Sequence, residues 1–107
     1  PIIVGGASAA AYRRAVCSAN GWYGWDLDPE GTAAALAELR AARDRYDRPA
    51  ELGDLEITMT PPGPLDLDTV RRYADLGVHR LVVQPETMDG TAIDDLITGT
   101  ADLISRL

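Results

Sequence analysis

Two rhythms of apolar residues alternate along this chain, short runs of strand character and longer stretches repeating every three or four positions. The first unit opens with Ile2–Val4 and passes through Gly5-Gly6-Ala7-Ser8 into a helix predicted from about Ala9 to Ala19. Ser8 is its expected N-cap, and Asn20-Gly21 its left-handed stop. The second strand is Trp22–Trp25. Asp28-Pro29-Glu30 then starts a helix that runs to about Tyr46, with Leu36, Leu39 and Tyr46 on one face and Arg48-Pro49 after its end. In the third strand, Leu55–Thr60, Leu55, Ile57 and Met59 alternate with Glu56, Thr58 and Thr60. Pro61-Pro62-Gly63-Pro64 cannot continue a sheet. Asp66 or Asp68 caps a short helix through Val70, Tyr73 and Leu76 that closes at Gly77. A fourth strand, Arg80–Gln84, stops at Pro85, and a last helix, about Thr91 to Leu107, sets Ile93, Leu96, Ile97, Ile104 and Leu107 on one stripe.

Strand followed by helix, repeated in this way, predicts an α/β fold with a parallel sheet and right-handed crossovers. No linker or low-complexity stretch divides the chain, so residues 1–107 read as a single domain. Four βα units are half of an eight-unit TIM (β/α)8 barrel. A sheet of four such strands leaves two unpaired edges, and its central strands call for cover on both faces. The expectation is therefore a missing N-terminal half-barrel or a homodimer. A start inside a strand, without an initiator methionine, points the same way, to a fragment or a processed domain.

Composition narrows the chemistry. The 107 residues are 46% hydrophobic, enough for one small core. A net charge of −7 argues against nucleic acid or an anionic membrane as partner. All 10 basic residues are arginine, which removes Schiff-base chemistry and a P-loop lysine. The same arginine and alanine bias suggests a GC-rich bacterial genome. Cys17 is the only cysteine and His79 the only histidine, so neither a thiolate metal cluster nor an internal disulfide is expected. No apolar run reaches the roughly 18 residues of a membrane helix and no signal peptide is visible, which reads as a cytoplasmic protein.

The strand–turn–helix around Gly5-Gly6-Ala7-Ser8 aims backbone N–H groups and the positive end of a helix dipole at one spot, which suits a phosphate. The same residues would also serve as a tight turn with a capping serine. Arg13 and Arg14 read first as surface side chains. Tyr23 reads as core, while Trp25, at the C-terminal end of its strand, is a candidate for stacking on a ring or lining a substrate wall. Gln84 and Glu86, after the fourth strand, could line the same mouth. His79 precedes its strand and so belongs to the structural end. Cys17 reads as a small buried residue. The pairs Asp26/Asp28 and Asp66/Asp68 are explained as helix caps, and Asp94-Asp95 as acids at a helix start; no metal site is expected.

Laid out in order, Pro1-Ile2-Ile3-Val4-Gly5-Gly6-Ala7-Ser8 with Arg13-Arg14-Ala15, then Asn20-Gly21-Trp22, Asp28-Pro29-Glu30 and Tyr73-Ala74-Asp75-Leu76-Gly77-Val78-His79-Arg80-Leu81-Val82, resemble a known family. That family is the luciferase-like monooxygenases, in particular the oxidoreductases that use the deazaflavin coenzyme F420. Nearly the whole chain is similar to the fifth to eighth βα units of their barrel. Asn20 stands where the family usually has aspartate. The resemblance implies an F420-dependent (alternatively FMN-dependent) oxidoreductase that transfers a hydride between coenzyme and a small organic substrate. It places the coenzyme phosphate at Gly5, Gly6, Ala7 and Ser8. It leaves the catalytic residues unknown, because most of those positions lie in the other half. The alternatives are a non-catalytic half-barrel that pairs with itself or another chain, and a phosphate-gripping barrel of sugar-phosphate type.

Overall fold

The computed structural model describes all 107 residues. Strands β1 (Ile3–Gly5), β2 (Gly21–Trp25), β3 (Glu56–Thr60) and β4 (Arg80–Leu81) alternate with helices α1 (Ala9–Ser18), α2 (Pro29–Arg45), α3 (Leu67–Leu76) and α4 (Gly90–Arg106). A single 3-10 turn, Ala50–Leu52, precedes β3. All strand pairs are parallel, and the sheet order is β1-β2-β3-β4, with no reversal.

Register divides the sheet into two faces. Val4, Trp22 and Ile57 lie side by side, as do Gly24, Met59 and Leu81. These point into a core completed by Tyr12, Ala15 and Val16 of α1, Ala35, Leu36 and Leu39 of α2, and Tyr73 of α3. Trp22 is fully buried, and its ring meets that of Tyr12 at 6.0 Å between centroids. Gly24 is required beneath it: a Cβ there would come within 2.6 Å of the Trp22 indole. On the opposite face lie Ile3, Tyr23, Trp25, Thr58, Thr60 and the ion pair between Glu56 and Arg80 (3.2 Å). Helices α1, α2 and α3 pack on the other face; on this one Thr58 and Thr60 are buried and Trp25 is exposed. Tyr23 is therefore not core as expected. It stands half-buried on the face away from α1, α2 and α3, with its hydroxyl bonded to Thr60.

Arg48 locks the layers together. Its Nη1 donates to the carbonyls of Ala15, Val16 and Ala19 at 3.2, 3.0 and 2.7 Å, and its Nε to Gly53 at 2.7 Å. One guanidinium thus satisfies the end of α1 and pins the loop leading into β3. Burial pushes its pKa below the ordinary arginine range, with Arg43 adding to the effect.

Local differences from the predicted elements have simple causes. Gly21 belongs to β2 rather than to a helix stop, and α1 ends on Ala19 in extended conformation. A side chain at Gly21 would meet the Glu56 carbonyl and Ile3 at 2.8 Å, so close strand packing explains this glycine. The fourth strand is only Arg80–Leu81 plus one further bond, from the Val82 N–H to Met59 (2.9 Å). Beyond it, β4 faces Pro61, which has no N–H to offer. Asp66 caps α3, and Asp89 caps α4, with Asp94 and Asp95 inside that helix. Cys17 is half-buried rather than buried. The predicted stripe on α4 is present, but no residue of this helix is buried, and Ile97 and Ile104 are 62% and 64% exposed.

Candidate functional site

All strands are parallel, so the residues following each of them gather at one end of the sheet. β1 ends at Gly5, and Gly6 turns the chain with φ +110°, a conformation that favours glycine. A Cβ on Gly6 would also press on Ala11 at 3.2 Å. The Trp22 indole N–H donates to the Gly6 carbonyl at 2.9 Å and so fixes the turn from below. Ser8 Oγ accepts the Ala11 N–H (3.1 Å) as N-cap of α1 and keeps its own proton free to donate. Gly5, Gly6, Ala7 and Ser8 are all exposed. Arg13 is directed away, its guanidinium 4.9 Å from the centre of the Tyr46 ring, and Arg14 is at the surface.

At the same end, β2 finishes in Trp25, whose side is 61% exposed. Asp26 follows with φ +60°, unusual for a residue with a side chain, held there by its N–H bond to the Thr60 carbonyl (2.9 Å). A cleft of about 830 Å³ opens between these residues, the Pro61–Leu67 loop and α4. It brings together Trp25, Gln84 and Glu86, as the sequence predicts for a mouth. The Gly5–Ser8 turn lies outside this cleft, beyond β2.

The cleft is acidic. Asp26, Asp66, Glu86, Asp95 and Asp102 face it, and its single cation, Arg106, is paired with Asp102 at 3.1 Å. The Asp66 carboxylate accepts the Thr69 N–H at 2.7 Å, and that bond holds its pKa below the usual aspartate range. No group of three or more His, Cys, Asp and Glu side chains is arranged to hold a metal ion.

His79 lies at the opposite end, where its Nδ1 accepts the Ile57 N–H and its own N–H donates to the Ile57 carbonyl, both at 2.9 Å. It splices the start of β4 to β3. Three contributors are invisible in the sequence. The Trp22 bond to Gly6 needs the β1–β2 register, the Tyr23–Thr60 pair needs the β2–β3 register, and Asp26 takes its φ from a bond to β3. Only the aromatic density of Trp22-Tyr23-Gly24-Trp25 hinted at them.

No helix is long and apolar enough to cross a membrane. No protein-family model matches the chain, and neither a curated protein nor a solved structure matches it.

Proposed function

We propose that the four βα units are the C-terminal half of a (β/α)8 barrel that binds a phosphorylated flavin-type coenzyme, F420 in preference to FMN. The observation that carries this reading is the unreversed strand order, which sets an exposed glycine turn and an exposed tryptophan at the C-terminal ends of neighbouring strands. Ligands of parallel βα folds are held at that end. An order without reversal also has no switch-point crevice of the doubly wound kind.

Residue chemistry supports the fit. Gly6 leaves room for a phosphate to approach the backbone, Ser8 keeps a hydroxyl proton to donate, and the α1 dipole favours the negative charge. Trp25 offers an uncovered aromatic face for a flat ring. The coenzyme, when bound, supplies the hydride chemistry; the protein's part is orientation and exclusion of water.

The test is a fluorescence titration, with F420 and with FMN, of the full natural polypeptide that contains these residues. Saturable binding is expected, abolished by Gly6→Val and weakened on the order of tenfold by Trp25→Ala. Binding of neither coenzyme overturns the reading, and tighter binding of FMN overturns the preference for F420.

A further inference from the structure

The seam between β3 and β4 is joined at its start by a titratable group. Ile57 of β3 turns both its backbone groups toward β4. Its carbonyl accepts the His79 N–H and its own N–H donates to His79 Nδ1, each at 2.9 Å. In a parallel ladder such an N–H ordinarily meets a backbone carbonyl, which no change of pH alters. Here an imidazole lone pair takes the carbonyl's place. The neutral ring has one such acceptor, and the protonated ring has none, because both its nitrogens then carry hydrogen.

We propose that His79 is a proton-operated latch on β4, closed when the ring is neutral and open when it is protonated. This goes beyond the coenzyme reading and does not rest on it. Protonation sets one N–H against another, so the bond must break. His79 is exposed, and its ring turns to water; Ile57 is a core residue, 7% exposed, and its N–H is left without a partner. What is loosened is short. β4 has two residues, followed by the bond from the Val82 N–H to Met59. The chain then runs on to Gln84 and Glu86, which line the cleft at the far end of the sheet. The latch thus ties that wall of the cleft to the charge on a ring at the opposite end.

No neighbouring charge offsets the opening. Glu56 on β3 and Arg80 on β4 flank the bond along the two strands, and they are paired with each other at 3.2 Å. α3, which leads to His79, has Asp75 as its last acid and ends at Leu76. His79 itself forms no ion pair. An imidazolium there gains no carboxylate in exchange for the lone pair it gives up. A histidine changes charge between about pH 5 and 8, above the range in which the capping carboxylates of Asp66 and Asp89 are lost. The two acid responses are therefore separable. The neutral ring is the latched one, so the latch is closed at the upper end of this window and opens as pH falls.

The test is amide hydrogen exchange, read by NMR on the full natural polypeptide that contains these residues, at about pH 8 and about pH 5 and corrected for the intrinsic rate. The protection of Ile57 is expected to fall about tenfold at the lower pH, and that of Val82 with it, while the amides of β2 keep theirs. His79→Asn sets a carbonyl oxygen close to the place of Nδ1, an acceptor that does not titrate, and should keep Ile57 protected at both values. His79→Ala, with no acceptor, should leave it poorly protected at both. Equal protection of Ile57 at the two pH values in the natural chain overturns the proposal. So does a fall that persists in His79→Asn, or a Val82 that stays protected while Ile57 opens. No coenzyme enters these measurements, so their failure leaves the reading above as it stands.

Discussion

Helices α2 and α4 each run for 17 residues, and α4 has the larger share of long aliphatic side chains. It contains Ile93, Leu96, Ile97, Leu103 and Ile104, against Leu36 and Leu39 in α2. Yet α2 buries Thr32, Ala35, Leu36 and Leu39, while α4 buries nothing. The boundary is sharp along the chain, since every buried residue lies between Ala11 and Tyr73. α2 sits between α1 and α3 over the long strands β2 and β3. α4 follows a strand of two residues and packs closely on no other element, α3 included. Amphipathic patterning therefore states what a helix can bury, and its neighbours decide what it does bury.

The largest break in this contrast is expected from Trp22→Ala. It removes the fully buried indole, its contact with Tyr12 and its bond to Gly6, a loss of about 3–5 kcal/mol in urea unfolding. Trp22→Phe, which keeps most of the packing, should recover the greater part. Arg48→Ala comes next, at about 2 kcal/mol, because three carbonyls at the end of α1 lose their charged donor. Arg48→Lys should rescue it poorly, since one ammonium cannot reproduce the fork of donors.

Acid separates the two regions by mechanism. Asp66 and Asp89 cap α3 and α4, and backbone N–H bonds from Thr69 and Ala92 hold both carboxylates below the usual range, with the Thr87 hydroxyl assisting at Asp89. Carboxylates so depressed contribute their full stability above the unfolded pKa, about 3.9, and lose it as pH falls through the lower folded values. Loss of the Asp66 cap loosens α3, which contributes Tyr73 to the core, so it should lower the melting temperature. Loss of the Asp89 cap should instead speed amide exchange in α4 alone. Asp66→Asn and Asp89→Asn should each flatten its own acid response. Smallest of all is Ile104→Ala, at a site 64% exposed, expected within about 0.5 kcal/mol of the parent. A larger effect would show α4 to be docked on the core.

Most of the fold was legible from the sequence because its signals are local. Ser8, Asp28 and Asp66 each cap the helix that the residues after them predict, and the alternation of Leu55–Thr60 assigned Ile57 and Met59 to the core. What could not be read depends on register or on a neighbour. Tyr23 and Trp22 are adjacent aromatics, and only the sheet determines which one meets the helices. β4 was cut short by a proline across the strand gap, not by anything within Arg80–Gln84. Arg48 had the look of a helix terminator, yet its partners lie some thirty residues earlier in the chain, at Ala15, Val16 and Ala19. The turn at Gly5–Ser8 and Trp25 could be read at the same end of the sheet, but not that the cleft would form around Trp25 and leave the turn outside.

The unreversed strand order also has a meaning in time. Each of these four strands pairs with its immediate neighbours in sequence, so among them none waits during synthesis for a partner made much later. The layer from Ala11 to Tyr73 can assemble as it emerges, before α4 has been made. A ribosome making these residues delivers their elements in the order in which they stack.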